Sequence, residues 1–234
     1  MKSVVMSLSG GMDSTTMLGY YLEKGYQVHC VHFQYGSKHN AYEREAVTAV
    51  FDYYVGKGAL ISLKVINMHE AFANMTSDLM LDGGSIPEGH YAGENMRKTV
   101  IPGRNTIFAA VLSGIAESVG ASIVALGIHA GDHHIYPDCR LDYSKALDTL
   151  IYLASDRKVE VEAPFQRIDK TGILKIGLPI KVPYEFTRTC YKDQPVSCGV
   201  CGSCSERLSS FEEQGIEDPI MYVDRTAYKQ FTKE

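Results

Sequence analysis

The stretch Val4-Val5-Met6-Ser7-Leu8-Ser9-Gly10-Gly11-Met12-Asp13-Ser14-Thr15 limits the possible folds more than any other part of the chain. An apolar run (Val4, Val5, Met6, Leu8) leads straight into two glycines, and a helical pattern over residues 16–22 follows at once. That order reads as a buried strand, a sharp turn and a helix N-terminus. Gly10 and Gly11 let the backbone bend and approach a ligand with no Cβ in the way. The unpaired amides of the first helical turn then point beyond the strand, where they favour an anion. Hydroxyls at Ser9, Ser14 and Thr15 add donors, so phosphate or pyrophosphate is the natural guest. A plain strand–turn–helix connection with a Ser or Asp cap has the same composition, and the glycines alone do not separate the two.

The unit recurs. Apolar, β-rich runs fall at residues 4–8, 28–33, 60–66 and 123–126, with helical patterns at 16–23, 42–55 and 106–119. This alternation predicts an α/β fold, a parallel sheet with helices on both faces. Ligands of such sheets sit beyond the carboxyl ends of the strands, so the loops after Leu8, Phe33 and Leu126 should converge. Residues 69–102 are long, glycine-bearing and weakly periodic, as lids and binding loops are. Further helices are expected over 142–155 and after Asp169, whose side chain reads as a cap with Lys170 on the first turn. The chain changes character near Pro183, which divides it into an α/β unit, 1–183, and a cysteine-bearing segment with a C-terminal helix, 184–234. Its last twenty residues read as a polar tail.

At 234 residues the chain suits one α/β domain with a small appendage. Hydrophobic content of 45% with 22% charged residues is that of a soluble globular protein. The N-terminal apolar run is too short for a signal-peptide core, and residues 108–116 are too few to span a bilayer, so a cytoplasmic protein is expected. A net charge of −5 and a pI near 5.9 advertise no basic face, and neither a nucleic-acid nor a membrane partner is expected. A Walker-type loop needs Gly-Lys-Ser/Thr, whereas Met12 and Asp13 follow Gly11, which disfavours kinase and GTPase chemistry. The third glycine of a dinucleotide fingerprint is also missing, and hydride transfer drops out with it.

Of six cysteines, four crowd into fifteen residues as Cys190, Cys198, Cys201 and Cys204. Cys198-Gly-Val-Cys201-Gly-Ser-Cys204 is two overlapping Cys-x-x-Cys units, and clustered cysteines in a reducing compartment bind metal more often than they form disulfides. Four thiolates fill a tetrahedral zinc shell; an iron–sulfur cluster is the competing occupant. With all four positions filled by protein, zinc here would be structural, and its binding would fold a segment that has no core of its own.

Read in full, Ser9-Gly-Gly-Met-Asp-Ser-Thr15 resembles the pyrophosphate loop of the ATP pyrophosphatases, which split ATP between its α and β phosphates. Further strings follow in order: Phe33-Gln34-Tyr35-Gly36 with His39; Pro102-Gly103-Arg104-Asn105-Thr106; Tyr136-Pro137-Asp138-Cys139-Arg140; and Thr189-Cys190-Tyr191. Together with the cysteine knuckle they resemble the 7-cyano-7-deazaguanine synthase family over about residues 1–214. The resemblance implies a ligase that uses ATP, Mg²⁺ and Zn²⁺ to convert 7-carboxy-7-deazaguanine and ammonia to the nitrile. The carboxylate would be adenylated, ammonia would displace AMP to give an amide, and a second adenylation would release the nitrile. On this basis the nucleotide loop is Leu8, Ser9, Gly10, Gly11, Met12, Asp13, Ser14, Thr15 and Thr16. Asp13, Ser14, Arg104 and Lys170 are the catalytic candidates. Tyr35, Arg104, Asn105, Asp132, His134, Tyr136, Asp138 and Arg140 are those for the purine. Capping of the following helix is a structural alternative for Asp138, and Asp13 suits either magnesium or a helix end. A homodimer is the expected assembly.

Two strings depart from the family pattern: His134-Ile135 stands where Ser-Gly is usual, and Ser37-Lys38 where Gln-Arg is usual. If His134 lined the pocket it could act as a base toward an incoming amine, so coupling of the activated deazaguanine to a protein amine is the second expectation. A tRNA-modifying relative would want paired catalytic cysteines or a basic face, and a non-catalytic nucleotide-binding subunit would tolerate an eroded loop. Neither fits this chain.

Overall fold

Val4, Val5 and Met6 are fully buried, as a central strand covered on both faces requires. In the computed structural model, which describes residues 2–231, they form β1 (Ser3–Ser7). The first residue of the expected 1–183 unit and the last three of the 184–234 segment lie outside the described residues. The chain continues through α1 (Met12–Glu23), β2 (Gln27–Gln34), α2 (Asn40–Gly56), β3 (Ile61–Asn67) and a single turn, α3 (His69–Phe72). There follow α4 (Arg104–Val119), β4 (Ile123–Ala125), α5 (Leu141–Ala154), β5 (Glu160–Glu162), α6 (Lys170–Gly177) and α7 (Gly202–Glu213).

Among the described residues the sheet has five strands in the order β3-β2-β1-β4-β5, every neighbouring pair parallel. Val4 lies opposite Val28 on one side and Ile123 on the other. Strand periodicity sorts the core into two layers. Val4, Met6, Val28 and Cys30 pack with Leu18 of α1, Val47 of α2 and Ile173 of α6. Val5, Val31 and Phe33 pack with Leu112 of α4 and Leu147 of α5. Helices thus cover both faces, as the sequence predicts. The chain winds from β1 outward to β3, then returns to place β4 beside β1, so strand order reverses next to the glycine turn. Such a switch point opens a crevice at the carboxyl ends of the strands.

Four of the strands and the helices α1, α2, α4, α5 and α6 fall where the periodicity puts them. β5 does not appear in the pattern: Glu160-Val161-Glu162 has one apolar residue and lies at the sheet edge, so nothing in three residues distinguishes it from a loop.

Residues 69–102 are largely irregular, ending in a 3₁₀ turn at Glu94–Thr99, yet they are not loose. Phe72, Leu79, Tyr91 and Met96 are buried in the same cluster as Phe33. Lys38 holds this cover to the body: Nζ donates to the carbonyls of Asp78 (2.8 Å), Met80 (2.5 Å), Gly83 (3.1 Å) and Gly84 (3.0 Å).

The described part of the expected polar tail, 215–231, is instead anchored. Asp218 is 2% exposed and takes the guanidinium of Arg207 of α7 in a two-pronged ion pair, Nε–Oδ2 2.7 Å and Nη2–Oδ1 2.9 Å. Composition suggested a tail because Asp218 and its neighbours are polar; an ion pair buried against α7 is what keeps them in the body. Across the expected boundary at 183/184 the packing is continuous. Tyr184 shares a hydrogen bond with Thr16, and the Arg188 amide donates to the Gly10 carbonyl.

Candidate active site

The first strand delivers the chain to the crevice, and Gly10 turns it. With φ of +74°, Gly10 is in the left-handed region, and a Cβ there would come within 2.7 Å of the Ala46 side chain. α1 then starts at Met12 with Gly11 as its cap. The turn is held by its own hydroxyls. Ser14 Oγ accepts from the Ser9 amide (3.2 Å), donates to the Gly11 carbonyl (3.2 Å) and meets Ser9 Oγ at 3.1 Å. The result is a helix N-terminus with a fixed hydroxyl pair on the wall of a cavity, the arrangement that receives phosphate.

Facing the turn is Lys170 at the start of α6, whose cap Asp169 accepts from the Gly172 amide at 2.8 Å, as its sequence position predicts. Lys170 is 3% exposed, and its Nζ lies 3.2 Å from Asp13 Oδ2 and 2.8 Å from Glu206 Oε2. Burial opposes its charge, but Asp13 and Glu206 outweigh burial and push the Lys170 pKa up, so it stays an ammonium. His129 joins this cluster: its Nε2 is 3.6 Å from Asp132 Oδ1 and 3.9 Å from Asp13 Oδ2. The Gly131 amide donates to its Nδ1 at 3.1 Å, which aims Nε2 at the carboxylates. Burial again opposes charge; Asp132, Glu206 and Asp13 prevail and raise the His129 pKa.

The cover segment crosses the cavity to the loop after β4 at two points. Tyr91 donates its hydroxyl to Asp132 Oδ1 (2.6 Å), and Thr99 shares a hydrogen bond with the Tyr136 hydroxyl (2.7 Å). Tyr35, Tyr91, Tyr136, Tyr191 and Phe108 line the cavity with Arg104, whose guanidinium lies 6.0 Å from the Tyr35 ring centroid. Flat aromatic faces beside a cation and carboxylates suit a planar, polar-edged ring.

Leu8, Ser9, Gly11, Asp13, Ser14, Tyr35, Arg104, Asn105, Asp132, Tyr136 and Lys170 thus line one cavity. Other candidates are placed elsewhere. Met12 packs with Leu174 and Phe211 under the turn. Thr16 donates to the Met12 carbonyl (2.7 Å), away from the cavity, and Thr15 is fully buried. The helical period explains this: on α1, Asp13 and Ser14 face the ligand space while residues 12 and 16 face the body. Asp138 caps α4, its Oδ2 accepting from the Asn105 amide at 3.1 Å. It thus caps the preceding long helix and not the following one, where a cap is the structural alternative in the sequence. Arg140 is exposed and donates to the His133 carbonyl (3.2 Å).

His134 requires a correction. It is exposed at the end of the 3₁₀ turn Ala130–His134 and does not line the cavity, while Ile135 is buried in the core. The turn rotates Asp132 inward and His134 outward, so the base expected there faces solvent and the protein-amine reading loses its motive.

Residues that the sequence left unassigned also reach the cavity: His32, His39, Glu43 and His129 line it, and Glu206 contacts Lys170. Only the four-residue spacing of His39 and Glu43 on one helix face signals a pair in the sequence. Glu206 comes from the far end of the chain, with no local sign.

Behind the cavity, Cys190, Cys198, Cys201 and Cys204 are buried with all four Sγ atoms within 4.8 Å of one another. A tetrahedral ion with ~2.3 Å metal–sulfur bonds puts sulfurs ~3.8 Å apart, and Cys198 and Cys204 Sγ are 3.9 Å apart. The Cys198 and Cys201 amides donate to cysteine sulfurs at 3.4 and 3.3 Å. The space between the sulfurs suits one ion and is too small for a cluster of irons.

A parallel sheet that ends in a phosphate-receiving turn, faces it with a buried ammonium and carries four clustered thiols behind defines a nucleotide-binding α/β protein with a four-cysteine knuckle suited to a metal ion. The model of the family described as queuosine biosynthesis protein QueC matches residues 3–215, and the chain belongs to that family. A 7-cyano-7-deazaguanine synthase of Caldicellulosiruptor saccharolyticus is 40% identical over 233 residues, 99% of this chain and 100% of that protein. The Pseudoalteromonas atlantica protein of that name is 39% identical over 94% of this chain and 99% of its own length. One of Archaeoglobus fulgidus is 38% identical, over 93% and 89% respectively.

Proposed function

We propose that this chain is a 7-cyano-7-deazaguanine synthase, making the nitrile from 7-carboxy-7-deazaguanine, ammonia and ATP in queuosine biosynthesis and releasing AMP and pyrophosphate. The observation that carries this is the family match over residues 3–215, which runs unbroken from the phosphate turn to beyond the cysteine knuckle.

The substrate carboxylate attacks the α phosphorus, a bond to phosphorus forms, and pyrophosphate leaves with the electron pair. The helix amides and the Ser9 and Ser14 hydroxyls receive the leaving group, and the Lys170 ammonium balances its growing charge. No proton has to move at this step, so positioning and fixed charge do the work. Asp13 Oδ1 is buried without a hydrogen-bond partner among the described residues, and such an oxygen fits magnesium. Magnesium held there would neutralise phosphate charge. The tyrosine faces hold the purine, with Asp132 and Arg104 at its edges.

Zinc is the ion assigned to the four cysteines, on the sulfur spacing, the all-thiolate donor set and the amide donors to sulfur. No helix among the described residues is long and apolar enough to cross a membrane.

Incubation with ATP, magnesium, ammonium and 7-carboxy-7-deazaguanine tests the function by product mass. The amide is expected first and the nitrile after it, with two AMP per nitrile. Stalling at the amide, or ADP as the nucleotide product, would refute it.

A further inference from the structure

A lysine ammonium rides on a flexible four-carbon stem, so its own geometry does not fix where the charge sits. Lys170 lines the cavity opposite the phosphate turn, and two carboxylates flank its Nζ. Asp13 stands on the turn itself, 3.2 Å away, and lines the cavity. Glu206 is nearer, at 2.8 Å, and is not among the lining residues.

Glu206 is itself well held. Its other oxygen, Oε1, lies over Gly131 in the loop after β4, where a Cβ would come within 2.6 Å of it. The helix that carries it, α7, is anchored by Cys204 two residues before it, in the four-thiol cluster, and by Arg207 one residue after it, in the buried pair with Asp218. Residues seven apart share a helix face, and Glu213 accepts from the Thr171 hydroxyl at 2.8 Å. Lys170 and Thr171, the first two residues of α6, are thus pinned to one face of α7 by two acidic side chains. Leu174 of α6 and Phe211 of α7 pack in one cluster beside them.

An arriving pyrophosphate competes with Asp13 for the hydrogens of Nζ, since both are anions on the cavity side of the lysine. A second carboxylate, behind Nζ and outside the cavity, keeps the ammonium aimed while that exchange takes place. Its value is geometric. The charge of Glu206 opposes the anion that Lys170 receives, whereas its acceptor oxygen fixes Nζ before charge develops on the leaving group. Resting on the proposed function, we propose that Glu206 is the positioning residue for Lys170, holding Nζ toward the pyrophosphate. The phosphate site is then built from behind on the helix that follows the cysteine knuckle, which gives that distant segment a part in the chemistry.

The test separates reach from charge. Glu206→Asp keeps the charge and draws the oxygen back by one methylene, while Glu206→Gln keeps the reach and an acceptor oxygen but drops the charge. One assay is exchange of labelled pyrophosphate into ATP, dependent on 7-carboxy-7-deazaguanine and run without ammonium. A misplacement of about 1 Å can cost about 100-fold. Glu206→Asp should therefore lose tenfold or more in exchange rate and Glu206→Gln less than threefold, with the KM for purine within twofold in both. In a Lys170→Met background Glu206→Asp should change the rate by less than twofold, because no ammonium is left to aim. Calorimetric titration with magnesium pyrophosphate reads the same contact without the purine. Its Kd should rise fivefold or more in Glu206→Asp and less than twofold in Glu206→Gln, in chains that each hold one zinc. An unaltered rate and Kd in Glu206→Asp would overturn the positioning. So would Glu206→Gln as impaired as Glu206→Asp, additive losses with Lys170→Met, or zinc lost in step with exchange. No exchange in the unaltered chain, with the Kd shift present, would instead defeat the function and leave the positioning in place.

Discussion

Replacing Arg207 with Met removes a guanidinium whose five N–H groups are all used. Nε and one Nη2 hydrogen go to Asp218, Nη1 donates to Thr187 Oγ1 (2.6 Å) and Thr189 Oγ1 (3.1 Å), and Nη2 also donates to the Tyr184 carbonyl (3.1 Å). Both side chains of the pair are 0% exposed. Without Arg207, the buried Asp218 carboxyl is left with only the Tyr222 hydroxyl (2.7 Å) and the Ile220 amide (3.2 Å) as donors. Breaking a buried pair from one side costs about 3–5 kcal/mol, a large part of the ~5–15 kcal/mol that holds a domain together. Asp218→Leu added to Arg207→Met removes the stranded charge and should recover part of the loss, giving a coupling energy well above 0.5 kcal/mol in magnitude. Urea denaturation of the zinc-loaded single and double variants measures both quantities. A single-variant loss below about 1 kcal/mol, or additive losses, would show that the pair does not anchor the C-terminal segment.

Lys170→Met should lower purine-dependent pyrophosphate exchange by about 10²–10³-fold, the usual cost of removing a fixed charge from a transition state, in a protein that still binds zinc. Elemental analysis should find one zinc per chain, and Cys201→Ser should cost stability and zinc more than turnover per folded molecule, because an incomplete shell loses metal that folds the segment. For His32, a folded-state pKa below the unfolded ~6.5 means the unfolded chain binds more protons there, so its contribution is intact above about pH 6.5 and is lost as pH falls toward the depressed folded value. His32→Gln should therefore lose less stability than the unaltered chain when urea midpoints at pH 5.5 and 7.5 are compared; parallel losses would contradict a neutral buried imidazole. His134→Ser should leave product ratios within twofold, since the side chain faces solvent.

What the sequence reveals and what it hides follow from locality. β1, the glycine turn and α1 are contiguous, and a period-2 run followed by a 3.6 period declares them without help from the rest of the chain. Lys170 is legible because Asp169 caps the helix that carries it. The direction of single side chains in the loop after β4 is not legible: Asp132 points in and His134 points out because a 3₁₀ turn rotates one relative to the other, and its residues carry no hydrophobic period. Glu206 and Asp218 pair with cations more than ten residues away, Lys170 and Arg207, so composition marks them as surface charge. The unpaired Nε2 of His32 is visible only once the Leu8 carbonyl has claimed the opposite nitrogen.

The central claim is that the substrate's own carboxylate attacks the α phosphorus of ATP at the glycine turn. Running the reaction with 7-carboxy-7-deazaguanine labelled with ¹⁸O in both carboxylate oxygens, then locating the label by mass, tests it directly. Label should enter AMP in each of the two rounds, with none in pyrophosphate and none left in the nitrile. Label in phosphate or in an ADP-forming product, or AMP free of label while nitrile accumulates, would contradict it.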